Sequence, residues 1–262
     1  MNAEDLPVRL LREGAVAVIE LNRPAAMNAL DVAMAEGFFA VCTAVVADAG
    51  VRAVVLRGAG RCFGVGGDLA AMREGDAAVV ARQLIGPLHA SVKLLSALDA
   101  PVIASVHGAV AGGSLSLALA ADLCIAADDA SFNLAYGRIG ASCDLSSSWQ
   151  LPRLVGLRQA MAIALLSDTV KADEALRLGL VNRVVPLADL QAETLALAQR
   201  LAQGPTQVYG RMKRLLRQSL NNDLATQLDA EERAFVDSTK TADFSEGLAA
   251  FFGRRPPVFQ GR

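Results

Sequence analysis

Apolar residues gather in short runs at AVAVIEL (15–21), RAVVLRG (52–58), PVIASV (101–106) and DLCIAA (122–127). Runs of this length, apolar toward both faces, are expected of strands covered on both sides. Between them the apolar positions take a helical period, which predicts helices over about 31–48, 77–98 and 112–121. Strand followed by helix, repeated, predicts an α/β fold with mostly parallel connections. From about residue 152 the pattern becomes nearly all helical, through LPRLVGLRQAMAIALLSD, ADEALRLGL and 187–252. Gly204-Pro205 predicts a helix break. The expected division is a core over 1–200 and a helical C-terminal region over 201–262, with no internal repeat and no low-complexity segment.

Composition narrows the classes. The 262 residues suit one large domain or a core with a helical extension, and 53% hydrophobic residues are ample for a core. A net charge of −2 advertises no basic face, so no nucleic-acid partner is expected. The basic stretches RMKRLLRQ (211–218) and Arg254-Arg255 read as solvated helix faces. Cys42, Cys62, Cys124 and Cys143 are scattered, with no CxxC and no metal spacing, which fits a reduced cytoplasmic protein. The segment MNAEDLPVRL is acidic and lacks an apolar h-region, so no secretory signal is expected. The longest apolar stretch, 109–127, is interrupted by Ser114, Ser116 and Asp122 and reads as core, not as a membrane span.

Two glycine-rich corners follow strands. In RCFGVGGDLAAM (61–72), Gly64, Gly66 and Gly67 permit close backbone approach, and Asp68 is placed to cap the next helix. The spacing meets neither GxGxxG nor GxxxxGK[ST], so it reads equally well as a plain tight turn. In SVHGAVAGGSLSLALAADL (105–123), His107-Gly108 turns the chain and Gly112-Gly113 opens an apolar helix. A helix N-terminus carries unsatisfied N–H groups, and two such corners can direct two donors at one developing oxyanion.

With these corners in view the chain resembles the crotonase, or enoyl-CoA hydratase/isomerase, superfamily along nearly its whole length. The matching stretches are LNRPAAMNAL (21–30), CFGVGGDL (62–69), HGAVAGGSLSLALAADL (107–123), LPRLVG (151–156), ADEALRLGLVNRVV (172–185) and FSEGLAAFFGRRPPVFQGR (244–262). The resemblance implies a crotonase-like spiral of ββα turns with a helical C-terminal trimerisation region. It implies a homotrimer or a dimer of trimers, an acyl-CoA thioester substrate, and no metal or redox cofactor, coenzyme A being part of the substrate. By motif, the oxyanion donors fall on the N–H groups of Val65 and Gly113. Arg23, Ala26, Met27 and Leu30 fall where relatives hold coenzyme A, and Asp68 and Leu69 beside its adenine. Gly64, Gly66, Gly67, Gly112 and Ser116 complete the implied substrate-binding set.

Departures from the family bear on the reaction. Hydratases carry glutamates at the positions that are Ser116 and Tyr136 here. Adding water across a double bond needs an acid–base pair, and neither serine nor tyrosine, with a pKa near 10, replaces a carboxylate base at pH 7. Asp144 instead stands where several non-hydratase members carry their acid. The pattern is similar to members that isomerise ring-epoxides of phenylacetyl-CoA and shift 3-enoyl double bonds to the 2-position. Isomerisation needs one proton shuttle, which Asp144 supplies on this reading. The alternative is that Asp144 caps a helix beginning near Leu145. His89 has two readings as well: a structural helix residue, or a base that activates water, as in dehalogenating members where the carboxylate is the nucleophile. Cys143 reads as packing, His107 as a turn residue, and Tyr136 as lining the acyl pocket. A third function is a thioester-binding member with little catalysis, marked by Asp144 turned away from the pocket.

Overall fold

The central strands are buried on both faces, and two helical layers do the burying. The computed structural model describes residues 6–262. In chain order the elements are β1 (Val8–Glu13), β2 (Val16–Leu21), α1 (Val32–Ala47), β3 (Ala53–Gly58), α2 (Leu69–Glu74), α3 (Ala77–Ala97), β4 (Val102–Val106), β5 (Ala109–Ala111), α4 (Gly112–Ala120), β6 (Leu123–Ala127), β7 (Ser131–Asn133), α5 (Ser147–Val155), α6 (Leu157–Leu166), β8 (Val170–Lys171), α7 (Ala172–Leu178), β9 (Arg183–Val185), α8 (Leu190–Ala202), α9 (Thr206–Ser219), α10 (Leu224–Thr239) and α11 (Ala242–Phe252). The large sheet runs β1-β2-β3-β4-β6-β9, parallel except for the β1–β2 hairpin. Ala17, Ile19 and Leu21 face the layer that contains Phe38 of α1 and Leu88 of α3, while Val16, Val18, Val55 and Ile103 face Leu190, Ala198 and Ala202 of α8. Burying each branched side chain contributes about 1.5–3 kcal/mol, so both faces must be covered.

A second layer turns the sheet into a spiral. β5 pairs with β7 in parallel and β7 with β8 in antiparallel. Isolated bridges Gly64–Val110 and Leu30–Gly67 continue that layer toward the N-terminus. Each turn therefore runs from a large-sheet strand through a second-layer segment into a helix: β3 to Gly64 to α2, then β4 to β5 to α4. The predicted strands and helices of the core correspond to β2, β3, β4 and β6 and to α1, α3 and α4. β1 was not foreseen, because beyond Val8 it is an edge strand of partly or fully exposed residues. The stretch after 152 is not wholly helical: β8 and β9 interrupt it, and they are too short to carry a period.

Beyond the Gly204-Pro205 turn, α9 is tied to the core by charge. Asp122 accepts from Lys213 (2.7 Å), from Arg217 (2.8 Å) and from the Val102 N–H (2.8 Å). Burial pushes the Lys213 ammonium down, and the Asp122 charge opposes this. The C-terminal strap is fastened by two carboxylates. Asp243 accepts from the N–H groups of Gln260 (2.6 Å) and Gly261 (2.8 Å), and Glu246 holds Arg255 and the Val258 N–H (2.7 Å). Among the described residues no helix is long and apolar enough to cross a membrane.

Candidate active site

The first corner is built by close backbone contact. Gly64 donates to Ala109 O (3.1 Å) and accepts from Ala111 N (2.9 Å), and Gly66 O accepts from Leu30 N (2.7 Å). Gly66 sits at φ +91°, and its N–H donates to the buried Ser114 Oγ (3.1 Å). Between these two pinned glycines, the N–H of Val65 has no acceptor among the described residues. At the second corner Gly112 has φ +51°, and the residue before it, Ala111, is extended and provides no side-chain cap for α4. The Gly113 N–H in that uncapped first turn is likewise without an acceptor among the described residues. The corners touch: a Cβ on Gly66 would lie 3.1 Å from Gly113 N. The pairing of two free N–H groups is thus set by strand pairing and glycine fit, without help from charged side chains.

Facing the corners is a side-chain chain. Tyr136 follows Ala135, a left-handed residue at φ +57°, and its hydroxyl donates to Asp144 Oδ1 in a short contact. Burial, and secondly the Asp144 charge, push the Tyr136 phenol well above its ordinary value of 10, so it stays a donor. With that proton committed, the Ser116 hydroxyl supplies the bond of 3.1 Å between Ser116 Oγ and Tyr136 Oη. Asp144 does not cap α5, which begins at Ser147 behind a Ser146 N-cap without a side-chain bond. Only its carbonyl serves there, accepting from the Ser147 N–H (3.1 Å) and Oγ (2.8 Å). The carboxylate is left free to face Tyr136.

These groups line a cavity of about 270 Å³. Val65, Gly66, Gly112 and Gly113 form one side, Tyr136 and Asp144 another, and Leu84, Ile85 and Leu88 of α3 close it with apolar surface. Asp144 is the only carboxylate on this wall among the described residues. A larger space of about 800 Å³ between α9, α10 and α11 is mostly apolar and lies apart from both corners. No group of three or more His, Cys, Asp or Glu among the described residues is placed to hold a metal.

The other candidates sort clearly. Leu30, Gly67 and Leu69 reach the cavity wall. Ser116 stands behind Tyr136, not on the wall, and Gly64 serves the backbone pairing. Asp68, between Gly67 and Leu69, accepts from Ala70 N (3.2 Å) as expected of a cap. Arg23 is not an unopposed cation: it meets Asp31 (3.1 Å) and Asp68 (3.3 Å) and holds the 23–30 segment, including Ala26 and Met27, beside the first corner. His89 is exposed and off the cavity wall, and its Nε2 accepts from the Leu145 N–H (3.2 Å). That contact occupies the Nε2 lone pair a base would use. Sequence reasoning passed over Asn28. It is fully buried, sits at φ +54°, and donates to the carbonyls of Ala59 (2.9 Å), Cys62 (2.9 Å) and Phe63 (3.2 Å). An amide flanked by Met27 and Ala29 in an otherwise apolar run was the available signal. Burial raises the Cys42 and Cys124 thiols to about 12, so both are packing groups.

A two-layer spiral with two uncapped backbone corners opposite one carboxylate defines a class of α/β enzyme-like folds. The sequence model described as Enoyl-CoA hydratase/isomerase matches residues 12–262. A "Probable enoyl-CoA hydratase" of Rhodobacter capsulatus is 41% identical over 249 residues, covering 94% of this chain and 95% of the relative. The 1,2-epoxyphenylacetyl-CoA isomerase of Escherichia coli is 34% identical over 256 residues, covering 95% and 97%. An enoyl-CoA hydratase from Polaromonas sp. JS666, known as a crystal structure, superposes with a TM-score of 0.91 at 31% identity, covering 97% of this chain and 99% of that one. The chain belongs to the enoyl-CoA hydratase/isomerase family.

Proposed function

We propose that the protein is an acyl-CoA isomerase that moves a double bond through an enolate. One observation carries the reading: Asp144 is the single carboxylate on the cavity wall among the described residues, and both places where hydratases keep a glutamate hold the hydrogen-bonded pair Ser116–Tyr136. The thioester oxygen accepts from the N–H groups of Val65 and Gly113. As Asp144 takes a proton from the carbon beside the thioester, these donors hold the charge on the enolate oxygen. Tyr136 keeps one carboxylate oxygen in place, and the other carries the proton to the distal carbon. Nothing is added and nothing leaves, so one base suffices. Loss of one oxyanion donor costs about 10²–10³ in rate, and loss of the proton shuttle about 10²–10⁴.

The dehalogenase-like reading needs the His89 lone pair for water, and that lone pair is already engaged. The binding-only reading needs Asp144 turned away from the cavity, whereas Asp144 lines it. Exposed apolar residues on the C-terminal helices, among them Leu216, Leu224, Phe251 and Phe252, support a homotrimer or dimer of trimers as the working assembly.

The test is incubation with a 3-enoyl-CoA in D₂O, followed by NMR, for the native protein and for Asp144→Asn. The expected result is double-bond migration with deuterium uptake, reduced by about 10³ in the variant. Hydration of a 2-enoyl-CoA faster than isomerisation of the 3-enoyl-CoA would overturn the proposal.

A further inference from the structure

The loop that carries Asp144 is bent in an unfavourable way. Leu145 and Ser146 are consecutive left-handed residues, at φ +50° and +69°. Branched side chains disfavour that region, and such a turn persists only where its surroundings dictate it. Leu145 is buried, and its Cδ1 would lie 3.1 Å from a Cβ on Gly113. The same residue therefore adjoins the carboxylate in sequence and covers the glycine whose N–H faces the cavity. Its own N–H has one acceptor, Nε2 of His89, at 3.2 Å from α3.

A backbone N–H only donates, so His89 Nε2 must present a lone pair. His107 shows the opposite case: its Nε2 lies 2.9 Å from the Gly60 carbonyl, which only accepts. The chain has just these two histidines. We propose that His89 is a positioning residue: as the Nδ1–H tautomer it holds the Leu145 N–H, fixes the left-handed turn, and so sets both the aim of Asp144 and the seat of Leu145 on Gly113. The kinetic consequence rests on the isomerase reading; the tautomer and the loop contact do not.

The experiment has two arms. Two-bond ¹H–¹⁵N spectra of the native protein, with both histidines ¹⁵N-labelled, report the tautomers directly. His89 should show an unprotonated Nε2 and His107 a protonated one; an Nε2–H signal for His89 overturns the proposal whatever the reaction. The second arm compares His89→Gln, whose amide oxygen reaches the place of Nε2, with His89→Leu, which has no acceptor. Amide exchange at Leu145 should be slow in the native protein and in His89→Gln, and fast in His89→Leu. Isomerisation should fall about tenfold in kcat for His89→Leu with KM little changed, the size expected for one hydrogen bond. His89→Gln should recover most of that loss. A His89→Gln variant as slow as His89→Leu, or unaltered Leu145 exchange in His89→Leu, overturns the proposal. If the native protein turns over no 3-enoyl-CoA, the isomerase reading fails while the tautomer and exchange results still decide the role of His89.

Discussion

The two walls of the cavity are built by opposite means. The Val65 and Gly113 corners are backbone, fixed by strand-like bridges at Gly64–Val110 and Leu30–Gly67 and by glycines that fit against each other. The Tyr136–Asp144 wall is side chain, carried on a loop with left-handed residues at 135, 145 and 146 and held by single hydrogen bonds: Ser116 to Tyr136, Tyr136 to Asp144, and the Leu145 N–H to His89. On the proposed reading, the backbone wall donates to the thioester oxygen and is indifferent to what happens further along the acyl chain. On the same reading, the side-chain wall decides which proton moves and where. Relatives named as a hydratase and as an isomerase share the family, so reaction class is argued from the side-chain wall and the residues that hold it, Ser116 and His89 among them.

Short of removing the Asp144 carboxylate itself, breaking the backbone wall should have the largest effect. In Gly66→Ala the new Cβ meets Ala111 O and Gly113 N at 3.1 Å each, at a φ of +91°. Both neighbours are backbone and cannot step aside. The Gly113 N–H is pushed off line, so kcat should fall about 10²-fold, the effect of one lost oxyanion donor. The added strain of a left-handed alanine, about 1–2 kcal/mol, should also lower the melting temperature by a few degrees. Steady-state kinetics and thermal unfolding of the same preparation check both. A variant with native kcat would show that the corners tolerate displacement and that the contrast between the walls is overstated.

The walls also differed in how far they could be read from the chain. CFGVGGDL and AGGSLSL announced the corners, because close approach demands glycine and leaves it visible at fixed spacing. The burial of β2, β3, β4 and β6 was legible too, as each is a mainly apolar run, interrupted only by Glu20, Arg57 and Ser105. The acid wall was legible only as residue types. That Asp144 meets Tyr136, and that His89 meets Leu145 across 56 positions, depends on two left-handed residues that no periodicity reports. Asn28 and Ser114 were overlooked because a polar residue that satisfies backbone groups looks, in sequence, like an interruption of an apolar run. β1, β8 and β9 were missed for want of length or a buried face.

Weakening the side-chain wall by one bond should have a middling effect. Tyr136→Phe leaves the shape of the wall, removes the donor to Asp144 Oδ1, and leaves the Ser116 hydroxyl only the Gly112 carbonyl (3.4 Å). Each hydrogen bond to a charged group contributes about 1.5–3 kcal/mol, so kcat should drop about 10–100-fold. Because Tyr136 is held well above its ordinary pKa by burial, its ionisation should not shape the alkaline limb of the native rate profile below pH 10. Native and variant profiles should therefore be parallel there, offset by the rate factor. Profiles that diverge between pH 8 and 10 would mean that the phenol itself titrates and takes part as an acid.

The smallest expected effect asks whether being held by side chains is enough, by itself, to make a loop matter to catalysis. The C-terminal strap is also held by a side-chain clamp, Glu246 on Arg255 and the Val258 N–H, with no residue on the cavity wall. The Arg255 hydrogen bonds, more than the charge, lower the Glu246 carboxyl from 4.5 to about 2. A depressed folded pKa means the clamp stabilises the fold fully above the unfolded value, and that this contribution is lost as pH falls from about 4.5 toward 2. Glu246→Gln should therefore melt slightly below the native protein at pH 7, with the gap closing as the buffer approaches pH 2, and kcat should be unchanged. A gap that persists at pH 2 would assign the stabilisation to packing of the strap. A fall in kcat would show that the strap reaches the site, and would extend the side-chain wall beyond residues 136–146.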